Sequence, residues 1–219
     1  PEKTPTPTPE KTPTPTPERT PTPTPEKTPT PTPEKTPTPI PIFTPADKTE
    51  LKTAVDAWIA DESGALATYG DINTWDTSNV TDMQEMFAQK TLFGQYNQYA
   101  DISNWDTSNV TNMHSMFYNA HAFNTDISSW DTSNVTNMTS MFKNADAFNQ
   151  DISGWDTSSV LYMGNMLSAD ITHELSFNAD ISSWDTSNVK NMINLFNGAT
   201  SFNADISNWN VGNVTDMSY

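Results

Sequence analysis

Apolar and polar positions recur in one register over residues 70–219. Tryptophan marks it at Trp75, Trp105, Trp130, Trp155, Trp184 and Trp209, with spacings of 30, 25, 25, 29 and 25 residues. An isoleucine stands three residues before each (Ile72, Ile102, Ile127, Ile152, Ile181, Ile206), and a valine five after (Val80, Val110, Val135, Val160, Val189, Val214). A methionine stands eight after (Met83, Met113, Met138, Met163, Met192, Met217). An apolar pair follows: Met86–Phe87, Met116–Phe117, Met141–Phe142, Met166–Leu167 and Leu195–Phe196. Within one unit Met138, Met141, Phe142 and Ala145 fall at i, i+3, i+4 and i+7, which predicts a helix of about two turns. "TSNV" ahead of it offers Ser133 or Asn134 as the cap. "DISSW" around Ile127 predicts a brief strand. So few apolar side chains per unit cannot bury themselves alone; stacked units bury them in one column. The expected fold is an α/β repeat solenoid of about six units, with short parallel strands about 4.8 Å apart and short helices.

The segment before the repeats, "TPADKTELKTAVDAWIADESG", predicts a helix. Thr44 is the expected N-cap, with Pro45 at N1 and Asp47 at N3. Leu51, Ala54, Val55, Trp58 and Ile59 make one apolar face, and Gly64 lies just beyond. Residues 44–69 are therefore expected to cap the first repeat's open edge. The last repeat stops partway, so the chain reads as a piece of something longer.

Composition changes at residue 45. All 17 prolines lie at or before Pro45. Residues 1–39 repeat an octad of the type "PEKTPTPT" five times. Closely spaced proline removes N–H donors and fixes φ, which leaves polyproline II as the accessible conformation. At about 3.1 Å per residue, residues 1–43 are expected to form a semi-rigid stalk on the order of 120 Å long. Thr-Pro repeats also suit O-glycosylation, with Thr4, Thr6, Thr8, Thr12, Thr14, Thr16, Thr20, Thr22, Thr24, Thr28, Thr30, Thr32, Thr36 and Thr38 as candidate acceptors.

The stalk's charges cancel, so the net charge of −17 sits on the part after about residue 45, the expected cap and the repeats together. That acidity argues against nucleic acid and anionic membrane as partners, and it also serves solubility. There is no cysteine, hence no disulfide framework or thiolate chemistry. No apolar run approaches the length of a membrane span.

The unit F-N-x-D-I-S-x-W-D-T-S-N-V-T-x-M-x-x-M-F-x-x-A-x-x-F resembles the repeat of BspA-like leucine-rich-repeat surface proteins over Gly70 to Tyr219. The resemblance implies a leucine-rich-repeat-like fold and a non-enzymatic extracellular or cell-surface protein, often concerned with adhesion or matrix binding. Ser159, Leu161 and Leu167, then Lys190 and Leu195, then Asn210–Gly212 depart from the pattern. An irregular ladder is expected around residues 159–195.

Two aspartate columns run along the repeats. Stacked carboxylates repel by roughly 1 kcal/mol per neighbour in water, so something must offset them. Calcium bridging Asp101, Asp106, Asp126, Asp131, Asp151 and Asp156 is one reading. The plainer one is that each carboxylate accepts N–H bonds in its own turn, as "DTSN" chemistry suggests. "NVT" gives N-glycosylation sequons at Asn79, Asn109, Asn134 and Asn213, and "NMT" adds Asn137; the alternative is amides that satisfy turn backbone. A threonine column from Thr77 to Thr186 raises an ice-binding array, but Leu161 and Lys190 break the second column that array needs. His114 and His121 have no companion cysteine and His173 stands alone. No catalytic motif, cofactor or metal site is expected.

Two units carry insertions between the apolar pair and the next isoleucine, at 88–100 and 168–179. Insertions in repeat arrays map to one side, often the binding side. Phe93, Tyr96, Tyr99, His173 and Glu174 are the candidate partner contacts. The expected function is an adhesion or recognition domain, extracellular or at the cell surface, that binds a protein or glycan. The alternative is a structural subunit of an extracellular filament in which copies pack together.

Overall fold

The computed structural model describes residues 41–91 and 101–218, all within the unit Pro39–Tyr219. Nearly all of the expected stalk, with every candidate O-glycan threonine, lies outside the described residues, as do Phe93, Tyr96 and Tyr99.

Two helices precede the repeats: α1, Lys48–Ala60, and α2, Glu62–Tyr69. The N-cap of α1 is Asp47, three residues after the expected Thr44. Its Oδ1 accepts from the N–H groups of Thr49 and Glu50 at 2.8 and 3.0 Å, which satisfies two of the free donors at a helix start. Glu50 reaches back to accept from the Ala46 N–H at 2.8 Å. Gly64, expected beyond the helix, lies inside α2, which ends instead at Gly70 with φ +74°. Leu51, Ala54, Val55 and Trp58 bury one face of α1. Trp58 meets Trp75 of the first repeat edge-on at 6.0 Å, and Phe43 and Tyr69 close around the same indole at 5.2 and 6.0 Å.

The repeats differ from the expected α/β repeat solenoid. Among the described residues they contain neither a strand nor an α-helix; one 3₁₀ turn at Ile72–Thr74 is their only helical piece. The predicted helix at 138–145 is a run of turns. The N–H groups of Met138, Ser140, Phe142 and Asn144 donate to Tyr162, Gly164, Met166 and Ser168 of the next repeat, at 2.9–3.0 Å. The intervening Met141, Lys143 and Ala145 N–H groups close four-residue turns onto Met138, Ser140 and Phe142 at 3.0–3.2 Å. Ser140 and Asn144 sit at φ +55° and +57°, at the third positions of the 138–141 and 142–145 turns, a conformation that a right-handed helix forbids. Alternate donors are thus committed to a neighbour, and the i→i−4 ladder cannot form.

The predicted strand at "DISSW" is likewise a turn, closed by Trp130 N–H onto the Ile127 carbonyl at 3.2 Å. Parallel pairing shrinks to single bridges that link Asp82, Asn112, Asn137, Tyr162, Asn191 and Asp216 in succession. The leucine-rich-repeat-like description fails with the strands.

Stacking of the units and burial of the apolar columns do occur. The Ile, Trp, Val and Met columns are buried through the first five repeats and partly buried at Ile206, Trp209 and Val214, and the apolar pairs are buried as far as Leu195, with Phe196 partly so. Phenylalanines stack from unit to unit: Phe87 on Phe117 at 5.3 Å, Phe117 on Phe142 at 5.6 Å, and Phe148 on Phe177 at 5.8 Å. The ladder continues through 159–195, where irregularity was expected. Met163, Asn165 and Leu167 donate to Asn191, Ile193 and Leu195 at 3.0, 2.8 and 3.1 Å. Backbone donors do not care which side chain follows them, so Leu161 and Leu195 fit the same register.

Candidate functional site

Most polar columns are used within the stack. Asp106, Asp131 and Asp156 each accept from the backbone N–H and the hydroxyl of the serine two residues on, at 2.9–3.0 Å and 2.6 Å. Asp126 and Asp151 accept from Ser128 and Ser153 N–H at 2.9 Å, and Asp101 from Ser103 N–H and the Asn73 amide, both at 2.9 Å. The serine hydroxyl and N–H at Ser133 hold the Asp131 carboxyl below its ordinary range, and Ser153 does the same for Asp151. Hydrogen bonds to the charged form thus offset the repulsion between stacked carboxylates. Among the described residues these aspartates do not gather into a group of three with mutually close ligand atoms.

The amide nitrogens of Asn109, Asn134 and Asn213 donate to the serine carbonyl of the preceding repeat at 2.7–2.9 Å, so the glycan-acceptor atom is engaged there. Asn79 is exposed in the first repeat, and Asn137 accepts from Thr139 N–H at 3.0 Å. Thr77, Thr107, Thr132, Thr157 and Thr186 are buried, which removes them from any surface array.

The insertion at 168–179 stands outside this economy. Its start is fixed by Asn144, which is buried. The Asn144 amide donates to Asn119 Oδ1 at 2.8 Å and Asp170 Oδ2 at 2.9 Å, and Asp170 N–H donates back to Asn144 Oδ1 at 2.7 Å. Lys143 adds an ion pair to Asp170 at 2.9 Å. Asn144 first, then Lys143, keep the Asp170 carboxyl below its usual range. Its end is fixed by buried Leu175 and Phe177 and by Ser176 N–H, which donates to the Asp146 carbonyl at 2.9 Å. Between these anchors Ile171, Thr172 and Glu174 face solvent, and Ile171 is fully exposed.

His173, expected as a partner contact, turns inward instead. Its Nδ1 lies 3.0 Å from Asp146 Oδ2. His121 Nδ1 lies 3.0 Å from the same oxygen, and the two rings stack at 4.5 Å with 8° between their planes. His121, Asp146 and His173 come from the second repeat, the third repeat and the insertion. The first two could have been paired by aligning "AHAF" with "ADAF", since both hold the same place in successive units. The third carries no register signal.

A family model described as "Mycoplasma protein of unknown function, DUF285" matches residues 60–175 and 170–219, well over half of the chain. The chain belongs to this family. The two DUF285 matches meet at residues 170–175, inside the insertion, where the repeat period is broken. Membership is consistent with a repeat surface protein. No curated protein and no solved structure matches the chain.

Proposed function

We propose that this DUF285 protein is a non-enzymatic recognition module of an extracellular or cell-surface protein, with affinities to the BspA-like surface proteins, displayed on a Pro/Thr stalk open to O-glycosylation. One observation carries the reading: the repeats spend their polar groups on one another, whereas the insertion at 168–179 is pinned at both ends and holds Ile171 and Glu174 out to solvent. Preorganised loops with an apolar tip bind at low ordering cost. The ligand class is a protein or glycan of the surroundings. The test is binding of the full chain to arrays of extracellular-matrix proteins and glycans, beside the variant I171D/E174K. Binding lost in the variant supports the reading; equal binding by both, or none by either, removes it.

The second reading is a structural subunit of an extracellular filament. The last described repeat carries an apolar recess of about 490 Å³, lined by Met192, Leu195, Phe196, Trp209, Val211 and Met217, which either a further repeat or another copy would cover. Stacked repeats cover such faces with one another. Concentration-dependent assembly of the chain in electron micrographs is the sign that separates this reading from the first.

A further inference from the structure

We infer that His121, Asp146 and His173 form a site for a divalent transition-metal ion of the zinc type, and that the ion clamps the 168–179 insertion onto the second and third repeats. The three side chains each offer one ligand atom, and these atoms lie within 4.8 Å of one another. Both Nδ1 atoms stand 3.0 Å from Asp146 Oδ2. Ligand atoms around a four-coordinate zinc are roughly 3.3 Å apart, given Zn–N and Zn–O bonds of about 2.0–2.2 Å. The two rings lie face to face, 8° from parallel, so an ion that meets both Nδ1 lone pairs requires the rings to turn toward each other, out of this stack.

The protein's own hydrogen bonds leave this cluster unfinished. Only His173 reaches Asp146 in hydrogen-bonding geometry. His121 Nδ1 and Asp146 Oδ1 are both shielded from solvent and lack a hydrogen-bond partner. Shielded polar atoms without partners are costly, and a cation bound by Nδ1 lone pairs and a carboxylate removes that cost.

The donor set selects the ion. Two imidazoles and one carboxylate suit zinc, cobalt or nickel, whereas calcium and magnesium want oxygen alone. The side chains are each about 30% exposed, so an ion has an entry path and water can complete its shell. This site stands independently of the recognition reading, because metal uptake is measured with no other ligand present.

The full chain, stripped with a chelator, is titrated with zinc by calorimetry and with cobalt(II) by visible absorption. One equivalent is expected, with the intense d–d bands of a four-coordinate cobalt site and a higher melting temperature in zinc. His121→Ala and His173→Ala should each weaken binding by more than about 100-fold, since even outer-shell losses cost 10–100-fold. His114→Ala, outside the cluster, should bind as the parent does. Circular dichroism confirms that each variant is folded. Should His121→Ala fail to fold, His173→Ala and the parent's cobalt spectrum still decide. Absence of stoichiometric uptake by the parent, a weak six-coordinate cobalt spectrum, or equal binding by His173→Ala overturns the site.

Discussion

The indole N–H of Trp130 donates to the carbonyl oxygen of Ile102, one repeat earlier, at 3.0 Å. Every repeat boundary has this bond: Trp105 to Ile72, Trp155 to Ile127, Trp184 to Ile152 and Trp209 to Ile181, at 2.9–3.2 Å. Buried threonines run the other way, as Thr132 Oγ1 donates forward to the Asp156 carbonyl at 2.9 Å. Each boundary is thus tied in both directions, and an insertion of four or five residues leaves the ties in place.

Trp130→Phe keeps an aromatic ring in the column but removes the N–H. The Ile102 carbonyl retains one donor, Trp105 N–H at 3.2 Å, so it is not orphaned. The expected loss is about 1–3 kcal/mol, from one hydrogen bond and the smaller ring. Trp130→Ala should cost about 3–5 kcal/mol. Urea unfolding measures both; equal costs for the two variants would show that the hydrogen bond and not the ring carries the column.

Acid should weaken the fold through the Asx turns. The Asp126, Asp131, Asp151, Asp180, Asp185 and Asp205 carboxyls are held below their ordinary range by serine N–H and hydroxyl donors. A carboxylate whose folded pKa is depressed adds stability that is complete above the unfolded value of about 3.9 and is lost as pH falls through the folded value. Urea midpoints should therefore hold flat from pH 7 to about 5 and drop below about 4. Ser133→Ala removes the larger cause at Asp131 and should raise that carboxyl toward its ordinary value, as read by NMR titration of the side chain. A carboxyl that does not move would place the cause elsewhere.

The columns were legible in the sequence because burial depends only on which residues recur in register: the Ile, Trp, Val and Met positions that recur are the ones that fill the core. The turn role of "DTSN" was legible for the same reason, since Asp131 and Ser133 are neighbours in sequence. The helix expected at 138–145 does not form, and its spacing does not distinguish a helix from a ribbon of turns. Met138, Met141, Phe142 and Ala145 point inward in both. What decides is the bond from Ser140 N–H to Gly164, between residues far apart in sequence, and the local pattern says nothing of it. The only local hint was the recurrence of Ser and Asn at the positions that take positive φ. The His121–Asp146–His173 cluster was hidden for a further reason: one member sits in an insertion whose path the repeat does not dictate.

Gly198 is required by its neighbour as well as by its backbone. It sits at φ +72°, and a Cβ added there would lie 2.2 Å from the Ala169 carbonyl oxygen. That carbonyl belongs to the start of the insertion, and Ala169 N–H donates to Asn197 at 2.7 Å. Gly198→Ala must therefore push the two repeats apart and strain its own backbone. The expected destabilisation is about 2 kcal/mol or more. Gly154→Ala, which meets nothing within 4 Å, is the matched control and should change little. Thermal melts of the pair give the comparison, and a neutral Gly198→Ala would mean that the fourth and fifth repeats are not in this close contact.

Asn144 joins two demands in one residue, and two substitutions separate them. Its side chain ties Asn119 to Asp170, and its backbone holds φ +57°. Asn144→Gly keeps the backbone freedom and loses the buried hydrogen bonds, at about 1–3 kcal/mol. Asn144→Ala loses the same bonds and adds left-handed strain of about 1 kcal/mol more. Both variants should speed amide exchange across 168–176, because Asp170 N–H loses its acceptor. The urea difference between the variants isolates the backbone term, and the shared change in exchange isolates the side-chain tether. If exchange in the insertion stays as slow as in the parent, the loop is held by Leu175 and Phe177 alone, and the exposed Ile171 is positioned by apolar packing and not by Asn144.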